Sequence, residues 1–129
     1  MLLNFLTIGI GGFLGSISRY LVYLGADHYY HKHHFPLGTL IVNATGSLLI
    51  GILFALSVKH QLFNRHSIGH FLFVTGFLGA YTTFSTFSQD NLVLIFEKNY
   101  MMLTMNILLN VFLGLGFVAL GYFLVTKYY

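Results

Sequence analysis

Apolar runs of about twenty residues, separated by short polar stretches, divide the chain into four. The first extends from about Leu3 to Leu24 and ends at ADHYYHKHHFP; the second, from about Leu37 to Val58, ends at KHQLFNRHS. The third runs from about Phe71 to Phe96 and the fourth from about Met102 to Val125. Each is near the ~20 residues that an α-helix needs to cross the hydrocarbon core of a bilayer. The pattern predicts an all-α membrane protein with four transmembrane helices in a single domain over residues 1–129, the loops being too short to hold another. The opening MLLNFLTIGIGG has no Lys or Arg before its apolar residues and no small-residue cleavage site after them. It is therefore read as the first span and not as a removed signal.

Composition agrees. Of 129 residues 57% are hydrophobic and 7% charged, against about 25% charged in a soluble domain. The absence of cysteine excludes disulfides, thiolate metal sites and cysteine nucleophiles. The net charge of +3 arises from scattered Lys and Arg residues against Asp27, Asp90 and Glu97. No basic run points to nucleic acid. With four spans, the side that holds both termini carries Lys59, Arg65 and Lys127, and the other carries Lys32 and Lys98. Three positive charges against two gives almost no orientation bias. Such a chain either inserts both ways, and pairs with an inverted copy of itself, or keeps one weakly biased orientation.

Polar residues inside the spans are the candidate chemistry. In GIGGFLGSISRY, small residues four apart (Gly11 and Gly15, or Gly12 and Ser16) are read as ordinary close helix packing. Arg19 in the same segment is expensive in a membrane. It either snorkels to the interface or holds positive potential over a water-filled entrance. In GTLIVNATGSLLIG, Asn43 needs partners for two donors and an acceptor. Ser47 and Gly51 extend its face into a narrow polar strip, and interhelical adhesion is the alternative to a functional role. Asn106, Asn110 and Gly114 recur at four-residue steps in the fourth span. Their amides are placed to bond the hydroxyls of the third span, either as packing or along a pore.

The third span carries GFLGAYTTFSTFSQD, residues 76–90. Gly76 and Gly79 predict a helix broken mid-membrane, since each glycine weakens a helix by about 1 kcal/mol relative to alanine. Irregular backbone at that depth is tolerated only where protein buries it or water reaches it. Beyond the break, helical spacing puts Thr82, Ser85, Thr86 and Gln89 on one stripe and Phe84, Phe87 and Ser88 on another. No carboxylate lies between Asp27 and Asp90 or within the fourth span. Proton-coupled transporters carry titratable groups in the membrane, so passive conduction is favoured, and the surplus of donors favours an anion. His28, His31, His33 and His34 are read as a solvated loop at the headgroups rather than a metal site.

GGFLGSISRY (11–20), GTLIVNATGSLLIG (38–51) and GFLGAYTTFSTFS (76–88) resemble, in order and spacing, the three signature segments of the Fluc, or CrcB, fluoride channels. The resemblance covers essentially the whole chain, and TTFSTFS after GFxG is its most specific part. It implies a fluoride-selective passive channel of the bacterial plasma membrane, not an enzyme. It further implies an antiparallel dual-topology dimer with two pores and a central structural Na+. On that resemblance Asn43, Phe84 and Phe87 line the fluoride path, and Thr83, Ser85, Thr86 and Ser88 form the hydroxyl run, part of it a polar track. Gly79 and Thr82 supply carbonyls to Na+, and Arg19 stands near the vestibule. Asn110 stands where many relatives have serine, Asn106 where tyrosine is common, and Asp90 in place of a glutamate. Two rivals remain. A small multidrug-type exporter needs a carboxylate in the first span, which is absent here. A partner subunit of a heterodimeric channel, paired with a paralogue, has one impaired pore, against which the retained Asn43, Phe84, Phe87 and TTFSTFS argue.

Overall fold

The computed structural model describes residues 1–33, 35–60 and 63–128, with side chains described for 1–26, 35–59 and 63–128. Among these residues the chain is helical and has no strand. The elements are α1 (Leu2–His33), α2 (Leu37–His60), α3, α4 (Phe84–Phe96) and α5 (Tyr100–Tyr128). In α3 the stretch His70–Leu78 is wound as a π-helix and continues as one α-helical turn, Gly79–Tyr81.

Three helical stretches are long and apolar enough to cross a membrane: Leu2–Ala26, Leu37–Lys59 and Tyr100–Tyr128. The segment expected as the third span is two shorter pieces, α3 and α4. Helix α1 outruns its expected end. Residues 28–33, read above as a loop, continue the helix, because nothing stops it until Pro36, whose ring disfavours helical backbone in the residue before it. The side chains of that histidine stretch, and His34, lie outside the described residues.

Helices α1 and α3 pack along one another, as do α2 and α5. A Cβ on Gly11 would collide with the Leu72 carbonyl, and one on Gly15 with the Phe77 carbonyl. A Cβ on Gly76 would in turn lie only 3.0 Å from Gly11 Cα. The first-span glycines therefore do what their spacing predicted, and Gly76 is their counterpart. This corrects the expected place of the break, since Gly76 and Gly79 lie in continuous helix. The backbone leaves the helix at Thr82 (φ −80°, ψ 158°) and Thr83 (φ −153°, ψ 118°). β-Branched residues suit extended backbone, and threonine is a good N-cap. Thr83 Oγ1 accepts from the Thr86 amide at 3.1 Å and so starts α4.

Helix α4 turns back into α5 through Glu97–Asn99. The Asn99 amide donates to the Leu94 carbonyl at 2.9 Å and the Lys98 amide to Ile95 at 3.0 Å, with Lys98 left-handed at φ 55°. This six-to-one and five-to-two pattern closes a helix tightly. Asn99 Oδ1 then accepts from the Met102 amide at 3.3 Å and caps α5.

The small interior is built from Val42, Leu78 and Tyr81, with Val22 and Phe77 packed against them. The Tyr81 ring stacks on Phe77 with centroids 5.6 Å apart, and its hydroxyl lies 2.8 Å from Thr45 Oγ1. Phe5, Phe13, Phe112 and Phe123 are among the many large apolar side chains left on the outside. So large an apolar exterior suits lipid and not water.

Candidate functional site

The break in the third segment is held by a side chain from α2. Asn43 Oδ1 accepts from the Thr83 amide at 3.0 Å, and its Nδ2 donates to the Thr83 carbonyl at 3.3 Å. Gly46, one turn on, lets the break come this close, because a Cβ there would collide with Thr82 Cγ2.

Asn43 Nδ2 also donates to Asn110 Oδ1 at 3.0 Å. Asn110 Nδ2 donates to the carbonyl and to Oδ1 of Asn106 at 3.0 and 2.9 Å, and Asn106 Nδ2 donates to Asn91 Oδ1 at 2.8 Å. The fourth-span amides were expected to bond the hydroxyls of the third; they bond the amides of Asn43 and Asn91 instead. Hydroxyls find carbonyls nearby: Thr82 Oγ1 donates to Leu78 at 2.9 Å and Ser88 Oγ to Phe84 at 3.0 Å. An amide has both a donor and an acceptor at its tip, so it can link helices in series where a hydroxyl settles locally.

A cavity of about 470 Å³ opens beside this cluster, and Asn43, Ser47, Thr83, Phe84, Phe87 and Asn110 are among its lining residues. The two phenyl rings stand 5.6 Å apart with their planes tilted by 47°. Phe84 is 79% exposed, so the cavity is not closed by this chain alone. The other face of α4 borders a second cavity of about 320 Å³, where Thr86, Gln89, Asp90, Thr39 and Tyr23 meet. There Thr39 Oγ1 donates to Asp90 Oδ2 at 2.6 Å. The Tyr23 hydroxyl is buried with no partner among the described residues.

Of the predicted site residues, Asn43, Phe84, Phe87, Asn110, Gly79 and Thr82 thus border the first cavity and Thr86 the second. The stripe of Thr86 and Gln89 is present. Thr82 is not part of it, because helical spacing does not run across the break. Ser85 and Ser88 are exposed, and Arg19 is half-buried on α1, bordering neither cavity. Thr39, Tyr23 and Asn91 were missed. Thr39 lies within GTLIVNATGSLLIG and Asn91 directly follows GFLGAYTTFSTFSQD, but nothing in their spacing marked what they would meet.

Gly79 and Thr82 share a second property. In an unbroken helix the amides of Thr83 and Thr86 would donate to their carbonyls. Here the Thr83 amide turns to Asn43 and the Thr86 amide to Thr83 Oγ1. Both carbonyls lose their helical donors, and Gly79 is exposed. All-oxygen sets of this kind suit a hard cation.

Residues 6–122 match the protein family described as CrcB-like protein, Camphor Resistance (CrcB). A relative in Campylobacter lari, named "Fluoride-specific ion channel FluC", is 42% identical over 130 residues, covering 98% of this chain and all of the relative. A protein of the same name in Methanococcus maripaludis is 48% identical over 117 residues, 90% of each chain. A third, in Elusimicrobium minutum, is 39% identical over 122 residues, 95% of this chain and 93% of its own.

Proposed function

The chain belongs to the CrcB family, and from that premise we propose that it is a fluoride channel, a multi-pass membrane protein and not an enzyme, through which fluoride leaves the cell passively. The observation that carries this reading is the meeting of Asn43, Phe84 and Phe87 at one cavity beside a break in the third segment. Helices α3 and α4 together make the third of four crossings.

Fluoride is small and strongly hydrated, so a pore conducts it only by replacing water with other donors. Asn43 supplies such donors. Its longer bond, to the Thr83 carbonyl at 3.3 Å, is the one most easily exchanged for an anion. Phenyl rings offer a positive edge to an anion while their faces repel it. A run of weak sites lets the ion leave as well as enter. Weak-acid HF enters cells and dissociates near neutral pH, and a negative-inside potential then drives the trapped anion out.

The open side of the cavity, with Phe84 and Gly79 exposed, supports completion by a second, inverted copy. The near-equal loop charges permit that pairing. Each dimer then has two pores. The Gly79 and Thr82 carbonyls of both subunits would hold a Na+, which would supply a fixed positive charge where the copies meet. Vesicles loaded with fluoride and containing the purified chain should release it. Retention of fluoride by vesicles that hold folded, assembled protein would overturn the reading.

A further inference from the structure

We propose that Asn91 is a positioning residue which, through Asn106 and Asn110, braces the Asn43 amide in the orientation that the Thr83 backbone selects at the break. The inference rests on the channel reading for its consequence but on geometry for its substance. Four side-chain amides form one series, each donating to the next: Asn43 to Asn110, Asn110 to Asn106, Asn106 to Asn91.

Backbone groups fix the direction of that series. The Thr83 amide only donates, so the oxygen of Asn43 must face it. The nitrogen of Asn43 therefore points to Asn110, which must present its oxygen. The nitrogen of Asn110 in turn meets the Asn106 carbonyl, a group that only accepts. Asn106 Oδ1 is taken by Asn110, so its nitrogen is left for Asn91. Turning either inner amide over would set nitrogen against nitrogen on one side of it and oxygen against oxygen on the other.

Burial makes the far end matter. Asn106 is 0% exposed, and a buried donor with no partner is strongly disfavoured. If Asn91 ceases to accept, Asn106 has no water to turn to and must reorient, which disturbs Asn110 and then Asn43. The series is also a circuit. It leaves α4 at its N-cap, Thr83, crosses α2 and α5, and returns to α4 at Asn91, two turns on. Helix α4 otherwise packs only lightly on the rest of the chain, so these amides both attach it and aim the donor beside Phe84 and Phe87.

The test joins flux with a direct view of Asn43. In the assembled channel with nitrogen-15 asparagine, the side-chain amide signals of Asn43 should shift or broaden in Asn91→Leu and stay in place in Asn91→Asp, which keeps an acceptor oxygen at the same reach. Fluoride flux through vesicles should fall about tenfold in Asn91→Leu, as when a supporting partner of a polar site is removed. Unmoved Asn43 signals in folded Asn91→Leu would overturn the proposal, as would unchanged flux. If Asn91→Leu fails to assemble, the Asp variant decides: unmoved Asn43 signals support the proposal and displaced ones overturn it. A parent protein that carries no fluoride would defeat the channel reading, while the amide signals would still decide the positioning role.

Discussion

Asn43 holds Thr83 by both of its backbone groups, accepting from the amide at 3.0 Å and donating to the carbonyl at 3.3 Å. One side chain thus substitutes for two partners that the break removes. Replacing it with alanine leaves Thr83 and the Asn110 oxygen unmatched. Asn43→Ala should therefore lose about 1–3 kcal/mol of stability as well as fluoride flux. Thermal unfolding in detergent beside vesicle efflux checks both. A variant as stable as its parent would mean that the break is held by something else.

Phe84 and Phe87 border the cavity with tilted rings 5.6 Å apart. Isoleucine keeps the apolar volume and removes the positive ring edge. Phe84→Ile and Phe87→Ile should each lower fluoride flux about tenfold or more, comparable to deleting one stabilising polar contact, with assembly intact on size exclusion. Parent-like flux would remove the rings from the mechanism.

The fit of α1 on α3 makes a sharper contrast. A Cβ at Gly15 would strike the Phe77 carbonyl, whereas one at Gly9 meets nothing within 4 Å. Gly15→Ala should destabilise by about 1–3 kcal/mol, as overpacking does, and Gly9→Ala should be neutral or slightly stabilising. Equal melting temperatures for the two would contradict the packing described.

Lys98 occupies a left-handed position at φ 55°, where glycine has no Cβ penalty. Lys98→Gly should gain up to about 1 kcal/mol, within the cost assigned to left-handed backbone, and raise the unfolding temperature. A lower one would show that the lysine side chain contributes more than its backbone loses.

The chain has no cysteine, so one introduced at Lys127 reports orientation cleanly. If the chain inserts both ways, an impermeant thiol reagent outside intact cells should label about half of it. Labelling of all or none would refute the inverted pairing.

Much of the site was legible because membrane chemistry makes polar residues conspicuous. Asn43, Asn106, Asn110 and the hydroxyl run stand out against apolar sequence, and desolvation guarantees that each must find a partner. Which partner it finds is not a property of spacing. Thr39 with Asp90 and Asn106 with Asn91 join residues 51 and 15 positions apart. The break was misplaced for a similar reason. Glycine lowers helix propensity, but Gly76 also permits close approach to α1, and that contact keeps it helical while Asn43 draws out Thr83.

By itself the sequence determined the medium, the helical class, the approximate spans and the residues with chemistry to offer, because hydrophobic length and the cost of buried polar groups act locally along the chain. Only the tertiary structure decided where the third segment opens and which face of α4 meets which cavity. It also decided that four asparagines form one directed series ending at Asn91. Those outcomes depend on which backbone donors and acceptors lie across from one another once the helices pack.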